Sequence, residues 1–171
     1  MANVGAETRA WFKGRIPKDW FTGDPEISAD RDEVLVVGEI NGPELEKGAS
    51  KEAVEAAREG AVKRFREETR DARMQIADEV GERWGRKLSW GVKAGGEEFL
   101  FTHLGVPVMT RLRLQERLTL DTLVDAGVAR TRSDALAWCV RLVAKNQDKW
   151  LGDLREAFKH VEKIRSEGPK G

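Results

Sequence analysis

The side chains that most often carry out catalysis are scarce and scattered in this sequence. Cys139, His103 and His160 are the only cysteine and histidines among 171 residues. Cys139 has no histidine near it in sequence and falls on the apolar stripe of a predicted helix, which is typical of a buried, inert thiol. The two histidines also lack the spacing with Cys139 that zinc ligands show. The sequence therefore predicts neither a nucleophilic centre nor a metal site.

Glycines and paired acids give no clearer sign of an enzyme. Gly91, Gly95 and Gly96 lie in a predicted hairpin, whereas a phosphate-binding loop would place them between a strand and a helix. The pairs Glu67-Glu68 and Glu97-Glu98 fall on exposed helix and turn positions. General acid–base catalysis normally needs a carboxylate in a perturbed environment. We therefore predict a protein that is not an enzyme and binds no cofactor.

Arginines also recur at alternate positions of the sequence VMTRLR, which predicts a short strand. In a strand over residues 108–113, every second side chain shares a face, so one face is mostly apolar and the other mostly basic. The basic face would carry Met109, Arg111 and Arg113. An arginine fork can donate two hydrogen bonds to guanine, and a methionine can contact a thymine methyl group. A lone strand needs a partner, which is most simply a second copy of itself, paired antiparallel.

Two predicted helices follow this strand and would position it. The first helix ends near Ala126, because the next residue is a glycine of the kind that commonly follows a helix. The second begins at Thr131, whose hydroxyl can cap it, with Asp134 three residues later. Its apolar stripe consists of Leu136, Cys139, Val140 and Val143.

This order of elements resembles the ribbon-helix-helix family of DNA-binding repressors. The resemblance rests on VMTRLR, on LTLDTLVDAG and on RTRSDAL, and it covers residues 106–146. It implies a homodimer whose two-stranded ribbon lies in the DNA major groove, with Met109, Arg111 and Arg113 facing the base edges. It also implies phosphate contacts at the start of the second helix, where backbone amides are unpaired, from Thr131, Arg132 and Ser133.

The charge and composition of the chain limit the classes of protein to which it could belong. Thirty basic residues balance thirty acidic ones, so the whole chain lacks the positive charge of a non-specific nucleic-acid binder. From Pro107 onward, however, thirteen basic residues face nine acidic ones, a net charge of +4, which leaves −4 for the first 106 residues. A single cysteine excludes an intramolecular disulfide, and no N-terminal apolar run resembles a signal peptide or a membrane span. We therefore predict a cytoplasmic protein without membrane contact.

Residues 26–105 predict a small α+β domain of hairpin, helix and hairpin. The first hairpin covers residues 26–40 and turns at 29–32, and the second covers residues 87–103 and turns at Ala94-Gly95-Gly96. A long helix over residues 51–84 would cover the four-stranded sheet. Its basic stretch, formed by Lys63, Arg64, Arg66, Arg70 and Arg73, is interrupted by three acids, which favours a solvated face over a nucleic-acid surface.

Both ends of the chain leave alternatives open. Residues 1–25 contain two Trp-Phe pairs among glycines and prolines, too irregular for a helix, and predict either an ordered arm packed by its aromatic rings or an arm that docks a protein partner. Residues 147–171 contain an amphipathic helix over 148–168. This helix could complete the dimer core, pack on the N-terminal domain or present a groove to a partner.

Together these features predict a homodimeric transcription regulator that binds a short, roughly palindromic duplex DNA site through residues 106–146. The alternative is a protein-interaction adaptor that uses the same motif only to dimerise. The near-zero net charge and the presence of Met109 at a reading position favour this alternative.

Overall fold

The computed structural model describes residues 5–42 and 48–167, and the chain divides into an N-terminal unit, Met1–Val106, and a C-terminal unit, Pro107–Gly171. The fold class is α+β, as predicted. The elements of the N-terminal unit are α1 (Ala6–Arg15), β1 (Glu26–Ala29), β2 (Glu33–Glu39), α2 (Lys51–Glu68), α3 (Arg70–Trp84), β3 (Lys87–Ala94) and β4 (Glu97–Leu100). Those of the C-terminal unit are α4 (Leu114–Asp125), α5 (Arg132–Asn146) and α6 (Asp148–Glu167).

The N-terminal unit is built on one four-stranded mixed sheet with the order β1-β2-β3-β4. Both predicted hairpins are confirmed, because β1 pairs antiparallel with β2 and β3 pairs antiparallel with β4. The central strands β2 and β3 run parallel, with Val36 opposite Trp90. Parallel neighbours need a long crossover connection, and here α2 and α3 supply it.

Each hairpin turn follows from its local sequence. In the first, the Asp30 carboxylate accepts hydrogen bonds from the backbone N–H groups of Asp32 (2.8 Å) and Glu33 (2.7 Å), which lowers the pKa of Asp30. In the second, Gly95 and Gly96 have φ angles of 59° and 83°. Glycine adopts these positive angles without steric cost, so it suits the two-residue turn.

The main core lies between the sheet and α3. Val34 and Val36 of β2 alternate onto the same face as Trp90 of β3 and meet Ile76 and Val80 of α3. All five side chains are buried. Full burial of an aliphatic side chain of this size stabilises a fold by about 1.5–3 kcal/mol. These contacts therefore fix the helix on the sheet.

Residues 6–15 form helix α1, so the prediction that this segment is too irregular for a helix was wrong. Phe12 is fully buried in the main core, and the Trp11 ring lies edge-on to Trp84 at 5.1 Å. Arg15 donates three hydrogen bonds of 2.6–3.1 Å to the Glu79 carboxylate. Tertiary contacts thus override the weak local propensity, and the aromatic rings of this segment serve the core of their own unit.

The predicted long helix over residues 51–84 is interrupted at Thr69, which separates α2 from α3. The Thr69 hydroxyl donates to the Phe65 carbonyl at 2.6 Å and accepts from Arg73 Nε at 2.9 Å. A threonine that bonds back to the preceding turn competes with the helical ladder and bends it. The hydrophobic periodicity of the sequence does not reveal this competition, so it predicts one continuous helix.

The strand predicted over residues 108–113 is absent, and residues 102–113 form neither helix nor strand. A strand needs a neighbouring ladder, and the part of the chain that the structure describes supplies none for these residues. The two predicted helices that follow are confirmed as α4 and α5, and the terminal helix as α6. Residues 168–171 of the predicted C-terminal segment lie outside the described residues.

None of the helices in the described ranges combines the length and apolar character needed to cross a membrane.

Candidate nucleic-acid interface

The predicted base-contacting residues lie on what we call the basic segment, residues 106–113. Met109 is 97% exposed, and Arg111 and Arg113 are also exposed. The segment contains two arginines and no acidic residue. Within the described residues, the side chains of Arg111 and Arg113 have no hydrogen-bond or ion-pair partner. These side chains are therefore available to a ligand, and they would share a side if the segment were extended.

The end of the basic segment is fixed to α4 by two contacts. The backbone N–H of Arg113 donates to Glu116 Oε2 at 2.5 Å, and the Arg117 guanidinium donates to the Leu112 carbonyl at 2.6 Å. The first contact satisfies a backbone donor at the helix start, as an acid at the third helical position commonly does. Glu116 and Arg117 were not among the predicted site residues, although the acid three residues after Arg113 is a recognisable capping signal.

The turn between α4 and α5 is closed by backbone hydrogen bonds. Gly127 has a φ angle of 72°, its N–H donates to the Val124 carbonyl at 2.9 Å, and the Val128 N–H donates to Leu123 at 3.0 Å. This arrangement satisfies carbonyls that the helix end leaves free, and it requires a residue that tolerates positive φ. Gly127 therefore sets the direction in which the chain enters α5.

The predicted phosphate-contacting residues lie together at the start of α5, and two of them already have partners. The Thr131 hydroxyl caps the helix by accepting the Asp134 N–H at 3.1 Å. Arg132 donates from Nε and a terminal nitrogen to the two Asp121 carboxylate oxygens, at 2.6 and 2.7 Å. Ser133 is exposed, with no partner among the described residues.

The pair formed by Arg132 and Asp121 joins α5 to α4. Hydrogen bonding to the carboxylate raises the pKa of Arg132, and the same contact lowers the pKa of Asp121. The Arg132 side chain remains 59% exposed, so it can still face a phosphate while it holds the carboxylate. Asp121 lies eleven residues before Arg132, so no local sequence pattern predicts this pair.

A small cleft beside the start of α5 contains two arginines that were not among the predicted site residues. It measures about 260 Å³ and is lined by Val128, Ala129, Arg130, Asp134, Trp138 and Arg141. Arg130 and Arg141 are exposed, and Arg130 lies 3.5 Å from the Asp134 carboxylate. Trp138 is half-buried against this cleft. Guanidinium groups next to an aromatic ring are a common combination where proteins contact nucleic acid.

The C-terminal unit leaves most of its apolar surface exposed. Among its described residues, only Leu120 and Ala135 are buried. The exposed apolar side chains are Val108, Met109, Leu114, Leu118, Val128, Val140, Leu142, Val143, Trp150, Leu154, Phe158, Val161 and Ile164. Exposed apolar surface on this scale is typical of surfaces that bind a protein partner, a ligand or a membrane.

Within residues 5–42 and 48–167, no group of three His, Cys, Asp or Glu side chains could hold a metal ion. Cys139 lies half-buried on α5.

Comparison with known proteins identifies two matching family models. Residues 6–100 match the model described as Rv1265-like protein, N-terminal domain, and residues 113–165 match the Mb1296 C-terminal domain. Three mycobacterial proteins, each described as uncharacterized, are 57% identical over 159 residues: Mb1296 of Mycobacterium bovis, and MT1303 and Rv1265 of Mycobacterium tuberculosis. The match covers 93% of this chain and 69% of each relative. No solved structure matches the chain.

These matches correct the resemblance noted in the sequence. The helices that resemble the ribbon-helix-helix family fall within the match to the Mb1296 C-terminal domain, so the assignment to the ribbon-helix-helix family was wrong.

Proposed function

This chain belongs to the family of Rv1265-like proteins, and we propose that it is a homodimeric transcription regulator that binds duplex DNA through its C-terminal unit. The observation that carries the proposal is the basic segment, whose arginines are exposed and have no partner within the described residues. It directly precedes α4, and the three helices of the C-terminal unit leave much of their apolar surface uncovered. A second copy would cover the apolar surface and pair the backbone of the basic segment, and a DNA duplex would face the arginines.

Dimerisation is supported by the backbone and by the apolar surface. Residues 102–111 make no backbone hydrogen bond to another described residue. Antiparallel pairing of the basic segment with its own copy would satisfy these groups. The same association would cover apolar side chains of α4, α5 and α6, which gain about 25 cal/mol for each Å² removed from water.

DNA contact is supported by the charge and the chemistry of the exposed residues. In a paired segment, Met109, Arg111 and Arg113 of both copies project from one side and face base edges. The start of α5 adds Thr131, Arg132 and Ser133 as phosphate contacts. The net charge of +4 on the chain from Pro107 onward favours association with a polyanion.

A protein-interaction adaptor remains the second candidate, and a specific observation favours it. Helix α6 exposes two aromatic side chains, Trp150 and Phe158, in a row with three aliphatic ones. Aromatic residues of this kind dominate the binding energy of protein interfaces. In this alternative, the C-terminal unit associates and α6 engages another protein.

Selection from a random duplex pool tests the proposal. The purified full-length chain is incubated with the pool at physiological salt, and the enriched duplex is then titrated with an Arg111→Ala, Arg113→Ala variant. Each arginine that reads a base contributes about 1–3 kcal/mol, so the double variant should lose roughly 2–6 kcal/mol for each half-site of the palindrome. The matched control, Lys149→Ala with Arg155→Ala, removes the same charge from exposed positions of α6.

The outcomes separate the two candidates. Enrichment of a palindrome that the control variant binds and the Arg111, Arg113 variant does not would support the regulator. Equal binding by both variants would refute a reading role for the basic segment. Failure to enrich any sequence from a pool that a known regulator does bind would favour the adaptor.

A further inference from the structure

The N-terminal unit contains a buried arginine for which the described residues provide no counter-charge. Arg73 of α3 is 9% exposed. Its Nε donates to the Thr69 hydroxyl at 2.9 Å and a terminal nitrogen donates to the Arg66 carbonyl at 2.8 Å. Both acceptors are neutral. In the part of the chain that the structure describes, no carboxylate lies within ion-pair distance of Arg73.

The charges that surround Arg73 have the same sign as its own. Burial lowers the pKa of Arg73, and the nearby Arg66 and Arg70 lower it further. Arg66 and Arg73 both stand over the Phe101 ring, with guanidinium carbons 5.7 and 4.9 Å from its centroid. Arg70 and Arg73 are three positions apart on α3, which brings them to one side of that helix, and the Arg66 carbonyl at the end of α2 lies within hydrogen-bond distance of Arg73.

The cluster of Arg66, Arg70 and Arg73 is energetically unfavourable unless an anion binds beside it. A buried charge without an opposite partner is strongly disfavoured. The described neighbours offer little compensation, because Arg70 reaches only Asp71, at 3.7 Å between largely exposed groups. The Phe101 ring provides an attractive face for a cation but no negative charge.

From this geometry we propose that Arg66, Arg70 and Arg73, at the interruption between α2 and α3, form a binding site for a phosphoryl group. Guanidinium forks match the oxygens of phosphate in pairs, which makes arginine clusters suited to this ligand. Arg73 is the rigid member, since Thr69 and the Arg66 carbonyl hold it in place. Arg66 and Arg70 are exposed and close over the bound group.

None of these three arginines belongs to the basic segment, so the site does not rest on the proposed reading of DNA bases. A phosphoryl group could belong to a small molecule or to a nucleic-acid backbone, and the test uses one probe for each source. Inorganic phosphate at low millimolar concentration is followed by ³¹P NMR line broadening at constant ionic strength. Phosphate at this concentration is too dilute for general salting effects on stability. A duplex of random sequence is followed by gel shift.

The informative variant is Arg66→Gln with Arg70→Gln, which leaves Arg73 and its structural hydrogen bonds in place. Its matched control is Lys63→Gln with Arg64→Gln, which removes the same charge from exposed positions of α2. Losing two charge-assisted contacts should lower phosphate affinity at least about tenfold in the first variant and leave it nearly unchanged in the control.

Each possible result either supports the proposed phosphoryl-binding site or overturns it. If inorganic phosphate binds wild type and control but not the Arg66, Arg70 variant, the site takes a free phosphoryl group. If only duplex binding is lost in that variant, the phosphoryl group belongs to a nucleic-acid backbone. If neither probe distinguishes the variant from its control, the proposal is overturned, whatever the result for Arg111 and Arg113.

Discussion

Gly38 of β2 is the position where one added methyl group should disturb the N-terminal unit most clearly. A Cβ atom built on Gly38 would lie 2.3–2.5 Å from carbon atoms of the Phe21 ring. Real contacts are not that short, so either the ring or the strand must move. Phe21 stacks on Phe65 at 5.7 Å and packs against buried residues, which restricts its movement. Overpacking of this kind costs about 1–3 kcal/mol.

The expected result for Gly38→Ala is therefore a loss of about 1–3 kcal/mol in the free energy of unfolding of the N-terminal unit. Urea denaturation followed by tryptophan fluorescence measures it. Replacing Trp138 and Trp150 with Phe in the background confines the emission to the N-terminal unit, which holds the other four tryptophans. Gly60→Ala is the matched control, because a Cβ at Gly60 in α2 meets nothing within 4 Å. It should stabilise by up to about 1 kcal/mol.

A double-mutant cycle identifies the cause. If the clash with the ring is responsible, Phe21→Ala removes it, and Gly38→Ala should then cost much less in the Phe21→Ala background. Neighbouring residues that share such a contact commonly couple by about 0.5–3 kcal/mol. Strict additivity of the two changes, or a Gly38→Ala protein as stable as the Gly60→Ala control, would refute the reasoning.

Two further predictions concern charge and association. Because hydrogen bonds from Arg15 lower the pKa of Glu79, this pair stabilises the N-terminal unit above the ordinary pKa of a glutamate, and the stabilisation is lost as the pH falls through the lowered value. Arg15→Gln should thus reduce the urea midpoint at pH 7, and this effect should shrink as the pH falls below the ordinary pKa of a glutamate, whereas Lys13→Gln should change the midpoint little at any pH. A deficit for Arg15→Gln that does not depend on pH would contradict this reasoning. The double variant Trp150→Gln, Phe158→Gln removes apolar side chains from α6, so its sedimentation coefficient at micromolar concentration should shift from the value of a dimer towards that of a monomer. The control variant Lys149→Ala, Arg155→Ala should sediment as the wild type does. Unchanged association of the first variant would exclude α6 from the dimer interface.

Local signals predicted those elements of this protein whose causes are local. Asp30 and the Gly95-Gly96 pair mark two turns, and both hairpins form where those residues place them. Gly127 and Thr131 likewise mark the end of α4 and the start of α5, because capping depends on residues within one turn of each other. The same local signals produced the mistaken family assignment, since capped helix pairs occur in unrelated families.

Features that depend on distant partners could not be read from the sequence. Helix α1 depends on Trp84 and Glu79, more than sixty positions away. The parallel pairing of β2 with β3 joins two hairpins that each look complete alone. In the candidate interface, the exposure of Met109 and Arg111 agrees with their predicted role, but the engagement of Arg132 by Asp121 has no counterpart in the sequence pattern. Their contact with DNA remains a prediction.

The parallel pairing of β2 with β3 also bears on how the protein is made. Val34 and its partner Leu88 are 54 positions apart. At a synthesis rate of about 5–20 residues per second, β2 waits roughly 3–11 seconds before its partner leaves the ribosome. During that time one edge of the apolar run VLVV at Val34 is unpaired and can join another strand. Nascent chains therefore remain open to mispairing until the central sheet closes, and slower initiation, which lowers the number of such chains present at one time, should improve the yield of folded protein.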